Sequence, residues 1–501
     1  MTSINLKPDR RFKMYYFIGI LVFLFSFSTY SKVPEKVDVV IVGAGLSGLA
    51  TAYELKKQGI SYHILELTPR IGGRVRTVKY QFGGEELVAD AGMEEYWDSN
   101  PAVEVLKELK LPLLSDVAQS SIVLNKKIEP LGTEDKAEFL SKILTPAGFK
   151  ALKDFEKKVA PVVSEVKARK VSSKNLSLKN LSFAQFVKSH KLPLKVSEWI
   201  RVTIECETGT EWEKVSALDG LEEYSIFIGE GEKLHRAING NENFTENFAK
   251  VIGVENITTN RRVNRIVAVP ELSQDGKATK YNNKVKVFYL DTEKNKNSSI
   301  EAFHVVSTAP LFRLFEIQFE PALSPKKRQA IQTQSWGSYF KAHVFLPSKV
   351  SSYWTKNDLS ILPILSDSEL GVIYDGNPSQ KTKTKILSLL ISGKHAETFN
   401  MMPLDLVRPQ IQSSLEKIFP GIKKEILGME FYRYHPRAIA SWPVGRSRFD
   451  ELSEEVRRPE NHVYLAGDFT ESSHSDGAFI SAKRVVNQII QSSKVAVGAA
   501  R

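Results

Sequence analysis

The sequence predicts an α/β protein organised around a Rossmann-like dinucleotide-binding domain. Three observations carry that expectation. Residues 37–50 (VDVVIVGAGLSGLA) run from an apolar strand through a glycine turn into a helix. A second apolar run, residues 62–65, ends in Glu66, about 20 residues beyond the turn, where a dinucleotide fold carries an acid. At the far end of the chain, residues 463–470 (VYLAGDFT) and 476–482 (DGAFISA) repeat the order of strand, glycine and helix.

Apart from Asp38, the residues leading to Gly43 are β-branched and apolar, as in a parallel strand buried on both faces. Gly43 serves the tight turn, Gly45 lets backbone approach a pyrophosphate, and Gly48 allows close packing of helix on strand. Leu46 and Ser47 open the helix, whose unpaired N–H groups and positive dipole end face the anion. Glu66 is positioned to accept hydrogen bonds from a ribose. Taken alone, the turn also fits a glycine loop that binds nothing.

With 501 residues the chain can bury a large core in about two domains. Its 42% hydrophobic and 25% charged residues are ordinary for a globular protein. The net charge is +11, but Lys and Arg are scattered among 58 acidic residues, which argues against nucleic acid as a partner. The lone Cys206 excludes an internal disulfide and a Cys-based zinc site. The histidines form neither HExxH nor a tight cluster, so no metal is expected.

Residues 1–33 read as a signal sequence or membrane anchor. Arg10, Arg11 and Lys13 precede an apolar run over 14–27, long for a signal core and short for a spanning helix. Thr29 and Ser31 suit the small-residue positions of a cleavage site. The basic end would stay cytoplasmic and the rest would be exported, to the periplasmic side of the inner membrane in a bacterium. Arg10-Arg11-Phe12 fits either a loose twin-arginine signal or an ordinary charged leader.

After Glu66, Gly73 lets backbone pass close to a ligand, and Arg74 can bring a guanidinium to a diphosphate; a solvated arginine is the plain alternative. Residues 87–92 end a strand and 100–111 form an amphipathic helix. From about 112 to 224 the pattern turns helical and Lys-rich. Residues 145–159 are the clearest case, with Thr145 as cap, Pro146 at the first helical position, and Phe149, Leu152, Phe155 and Val159 at helical spacing. This region reads as a helical cap, or else as a pocket wall or membrane-touching surface. Gly229-Glu230-Gly231 leads into a helix containing Leu234, and the chain returns to a strand over 263–269.

A hairpin follows (284–289, then 299–306) around a polar loop, and Pro321 and Pro325 mark a crossing. Residues 337–345 form a strand carrying Lys341, 408–420 a helix, and 432–445 an aromatic stretch with Tyr434 and Trp442. In the last motif Gly467 allows close approach, Asp468 can accept from a ribityl or ribose hydroxyl, and a helix beginning near Gly477 and Ala478 directs its dipole at the ligand.

GAGLSG, LEL and GGRVRT at one end, with AGD and GA at the other, resemble the flavin-containing amine oxidases and their relatives the phytoene desaturases, over residues 35–490. The resemblance implies FAD, held by both ends of the chain. It is expected to be non-covalent, because no cysteine stands in the aromatic stretch. It also implies a glutathione-reductase-like FAD-binding domain (34–110, 226–320, 430–492) with an inserted α+β substrate domain (111–225, 321–429). Val263 would meet the adenine end through its backbone. Lys341, in a G-S-x-x-K context, would hold a water against the flavin N5, whereas the residues alone suggest a strand-surface lysine. The chain departs from the family at Met93, Glu94, Glu95 and Tyr96, which replace small residues, at the usual Trp near Tyr432, and in the short 471–476 loop, which is similar to the desaturase branch.

The resemblance implies an amine oxidase in which hydride passes from the carbon beside an amine nitrogen to the flavin, the imine hydrolyses, and oxygen reoxidises the flavin to give peroxide. Tyr434 and Trp442 would shape a pocket for a neutral amine. The alternatives are an FAD-dependent desaturase or isomerase of a polyene or other lipid, and a non-enzymatic flavin-binding protein. The expected partners are therefore a small amine or lipid-like substrate and oxygen, with membrane association through the N-terminal segment.

Overall fold

The computed structural model describes residues 3–5, 33–117, 120–132, 135–228, 233–269, 284–356 and 359–499. The apolar run at 14–27 with its basic flank and cleavage positions, and Gly229-Glu230-Gly231, lie outside them. Among the described residues no helix is long and apolar enough to cross a membrane.

Lys36–Val42 pairs in parallel with Tyr62–Leu65 on one side and Lys296–Ser307 on the other. Ile257–Thr258 extends the first edge, and Val463–Leu465 joins the far side of Lys296–Ser307, both in parallel. Alternation along the first strand feeds two cores. Val39 and Ile41 pack with the helix Leu46–Lys57 and the C-terminal helix, while Val40 and Val42 pack on the opposite face. The chain leaves this strand toward one neighbour and later returns to build the other, which makes its carboxyl end the switch point where open α/β sheets bind ligands. The remaining strands form an antiparallel meander, Lys284–Asp291 and Arg261–Val269, closed by Gln318–Glu320.

In a second sheet Tyr339–Pro347 pairs antiparallel with the edge strand Gly428–Tyr432 on one side and Thr384–Ser392 on the other. The sheet continues through Val372–Asp375, Ile364–Ser366, Ser121–Leu124 and Lys127–Glu129. Phe340, Ala342, Val344 and Leu346 enter a core shared with the helices Gly393–Met401 and Leu404–Ile418. With the period of two, Lys341, His343 and Phe345 face the other way. There Phe345 meets Tyr80 edge-on, on the hairpin Thr77–Phe82 and Glu85–Asp90.

Two elements differ from the sequence expectation. The stretch read as helical from residue 112 begins with the strands Leu113–Val117, Ser121–Leu124 and Lys127–Glu129. Leu234 lies in the strand Lys233–Ala237, which pairs with Tyr96–Trp97 and Leu113–Val117. Here pairing to distant strands decides the conformation, because sheet preference depends on neighbours that local periodicity cannot register. The helix Lys136–Lys167 breaks at Thr145, where φ is 67°, and Thr145 Oγ1 accepts the Gly148 N–H at 3.3 Å. Its second half therefore starts on the expected cap, and Leu152, Phe155 and Val159 pack on Trp199 and Tyr224.

Candidate active site

The glycine turn sits at the carboxyl end of the first strand. Gly43 has φ +103°, a conformation few other residues adopt, and a Cβ on Gly48 would stand 1.9 Å from the Gly43 carbonyl oxygen. Strand and helix therefore meet backbone to backbone. The helix opens at Leu46 and Ser47, and no side chain caps its N-terminus. Gly45 bridges to Gly72, and a Cβ on Gly73 would lie 3.1 Å from the Gly45 Cα, so side chains here would fill the gap between turn and loop. Glu66 is buried beside them. Its carboxylate accepts the Ala44 N–H at 2.7 Å, and the Thr68 N–H and hydroxyl at 2.8 and 2.7 Å. The Arg261 N–H donates to the Glu66 carbonyl at 2.7 Å, and the strand bulges just beyond, at Val263.

Arg74 and Asp468 come together. The guanidinium donates to both carboxylate oxygens, at 2.6 and 2.7 Å, and also to the Ala438 carbonyl. The C-terminal turn is locked to its helix, Ser475–Ala499, by Ser481, whose hydroxyl accepts the Gly467 N–H and donates to the Ala478 carbonyl, both at 2.9 Å. A Cβ on Gly477 would stand 2.7 Å from the Ser472 carbonyl oxygen, so this helix too begins against backbone. Uncapped N–H groups, an acid at the strand end and a glycine-lined gap together suit a dinucleotide diphosphate and ribose.

Lys341 is fully buried, which rules out the strand-surface reading. Its ammonium forms an ion pair with Glu94 and lies 3.4 Å from the Gly92 carbonyl. Ser388 donates to Glu94 Oε1 at 2.8 Å, and the Arg236 guanidinium lies 4.0 Å from Glu94 Oε2 and 3.6 Å from Glu95 Oε2. The Tyr374 ring is 5.1 Å from that guanidinium and 6.0 Å from the Lys341 ammonium. Burial opposes ionisation of Glu94, but Lys341 and Arg236 outweigh it and hold the carboxyl below its ordinary range. Burial and the Glu94 charge together push Asp90, at the end of the neighbouring hairpin, up to about 7.

The two aromatic residues expected to shape a substrate pocket are not in the wall of the cavity beside Tyr374. Trp442 is buried in the core with the Arg448 guanidinium 4.4 Å above its ring, and its indole N–H donates to Ser453. Tyr434 is 46% exposed and stacks on Arg76. That cavity is walled by Glu95, Glu207, Trp199, Phe139 and Phe227 among others. Of these, Glu95 belongs to the 93–96 departure and carried a signal in the sequence. Glu207, Tyr374 and Arg236 carried none, since nothing in their surroundings distinguishes them from surface residues.

Residues 46–490 match the family of flavin containing amine oxidoreductases. Among curated relatives, the chain is 24% identical over 462 residues to an L-amino-acid oxidase of Vipera ammodytes ammodytes, covering 88% of this chain and 90% of the relative. It is 22% identical over 479 residues to a probable flavin-containing monoamine oxidase A of Dictyostelium discoideum, covering 90% and 97%. Among solved structures, a putrescine oxidase bound to putrescine superposes with a TM-score of 0.73 at 20% identity, covering 91% of this chain and 99% of the other. A cyclohexylamine oxidase from Brevibacterium oxydans gives 0.72 at 20% identity, covering 93% and 100%.

Proposed function

The chain belongs to the flavin containing amine oxidoreductase family, and from that premise we propose how its own residues serve FAD-dependent amine oxidation. When bound, FAD accepts the hydride that leaves the substrate carbon, and oxygen is the final acceptor. Gly43 and Gly48 would shape the turn, Gly45, Leu46 and Ser47 would offer backbone N–H groups to the diphosphate, and Glu66 would face the ribose and Val263 the adenine. Gly73, Arg74, Gly467, Asp468, Gly477 and Ala478 close over the ligand from the opposite side.

Lys341 acts on the substrate side. The observation that carries this role is its complete burial with a paired carboxylate, between Gly92 and the Tyr374 ring that walls the cavity. A fixed ammonium there can orient a water for hydrolysis of the oxidised product and exclude bulk solvent from the reacting carbon. The carboxylates on the cavity wall favour an amine over a polyene, since charged walls lose hydration without return beside a hydrocarbon.

The test is a flavin spectrum of the purified chain followed by an amine screen for peroxide release. Flavin bleaching under anaerobic amine and peroxide in air are expected. A colourless protein that takes up no added FAD would overturn the reading.

A further inference from the structure

The cavity beside Lys341 has an unusual charge balance. Glu95 and Glu207 both line it. Glu95 Oε2 is shielded from solvent and has no hydrogen-bond partner; its nearest cation, Arg236, stands 3.6 Å away and is shared with Glu94. The Glu207 carboxylate finds no hydrogen bond or ion pair among the described residues. Burial raises its pKa to about 7, with Glu95 and Glu223 adding to the effect and the His474 imidazolium opposing it. His474 is itself bound to Glu223 at 2.6 Å. Lys136, the basic residue on the wall, donates its ammonium to the Phe227 carbonyl at 2.6 Å. Two carboxylates thus face one cavity whose own cations are committed elsewhere.

The rest of the wall suits a positive charge on an alkyl chain. Tyr374, Trp199, Phe139 and Phe227 supply aromatic faces and apolar surface, which attract an ammonium through the ring quadrupole and shelter methylenes. The Tyr374 ring also stands 6.0 Å from the Lys341 ammonium, so this wall residue links the cavity of the two carboxylates to the lysine.

Building on the amine-oxidase reading, we infer that this cavity is a subsite for a second cationic group, so that the substrate is an alkyl diamine or polyamine whose distal ammonium binds between Glu95 and Glu207. The distal charge fixes the register of the chain and brings the reacting amine to the Lys341 end. An α-amino acid without a second cation is disfavoured, because its side chain brings no charge to Glu95 and Glu207 and leaves both without a partner.

The test uses the full FAD-loaded chain with Glu207→Gln and Glu95→Gln as separate near-isosteric variants, each checked for flavin content and far-UV circular dichroism. Substrates are an α,ω-diaminoalkane, the n-alkylamine of equal length, and L-phenylalanine. Calorimetry with an α,ω-bis(trimethylammonio)alkane measures binding of a dication without turnover. The diamine should exceed the monoamine in kcat/KM by about tenfold or more, as expected for one charge-assisted contact. Each variant should lower the diamine value at least about tenfold more than the monoamine value, mainly through KM, and weaken dication binding by a similar factor. Equal kcat/KM for diamine and monoamine, a preference for L-phenylalanine, or variants that bind the dication as the parent does would overturn the subsite. Dication binding that depends on Glu207, without flavin reduction by any amine, would leave the subsite standing and sink the amine-oxidase reading. Alkylamine turnover without dication binding would do the reverse.

Discussion

Lys341, on the strand Tyr339–Pro347, and Glu94, on the segment that follows Gly92, form an ion pair of which 0% and 5% of the side chains are exposed. Neither charge is near bulk water, so each depends on the other for solvation. Ser388 and Arg236 complete the shell around the carboxylate. Removing one member of a buried pair typically costs about 3–5 kcal/mol, because the other is left charged and unpaired. Lys341→Met and Glu94→Gln should each destabilise the FAD-loaded protein within that range, and the double variant by less than their sum, measured by urea unfolding. Additive losses would mean that the two side chains are not energetically coupled. Lys341→Met should also slow flavin reduction by amine, through loss of solvent exclusion at the reacting carbon, and an unchanged anaerobic rate would confine the lysine to steps after hydride transfer.

The pairing of Arg74 with Asp468 leads to a second expectation. The planar fork of Arg74 fits both oxygens of the carboxylate, and a lysine supplies only a point charge. Arg74→Lys and Asp468→Asn should therefore weaken FAD binding. Loss of a charge-assisted bond is worth about 1.5–3 kcal/mol, or roughly one to two decades in Kd. Flavin fluorescence quenching on titration into the apoprotein measures it. Affinities within twofold of the parent would show that the pair is a structural clasp remote from the cofactor.

These two pairs mark what could be read in the sequence. The glycine turns, Glu66 and the Gly467-Asp468 motif were legible because each imposes a local constraint: a positive φ at Gly43, a backbone contact at Gly48, an acid at a strand end. Lys341 was legible through its resemblance context, but its burial was not, since the alternation that turns it inward is shared by any two-faced strand. Its partners come from three segments, around Glu94, Arg236 and Ser388, joined only by sheet pairing. Trp442 and Tyr434 misled for a related reason. An aromatic residue in a motif looks the same whether it fills a core, as Trp442 does, or covers an arginine at the surface, as Tyr434 does.

Attachment of the flavin can be argued from the one cysteine. Cys206 lies in the helix Leu194–Thr208, is buried, and has its thiol pushed up to about 12 by that burial. A thiol held protonated is a poor nucleophile, and the stretch from Tyr432 to Trp442 contains no cysteine. Denaturation with acid or heat should release the yellow chromophore, so that ultrafiltration passes it through the membrane. Flavin absorbance retained with the precipitated protein would show a covalent link.

The last expectation concerns pH. His474 Nε2 pairs with Glu223 at 2.6 Å, and Glu223 is also held by Arg448 at 2.7 Å. Burial disfavours the imidazolium, but Glu223, with Glu207 and Asp476 contributing, outweighs it and raises His474 to about 9. An unfolded histidine titrates near 6.5. The folded protein therefore holds a proton that the unfolded chain gives up between those two values, and stability falls as pH rises through that window. The contribution is complete below about 6.5 and gone once His474 has titrated near 9. Tm measured from neutral to alkaline pH should decline across this interval in the parent. In Glu223→Gln the decline should be shallower, because the raised histidine loses its main partner. A parallel decline in both proteins would assign the alkaline loss to other groups, but not to Lys327, whose pKa burial lowers to about 8. That shift has the opposite sign: the unfolded chain takes up the proton first as pH falls, so the lysine's contribution grows with rising pH and cannot mimic the histidine.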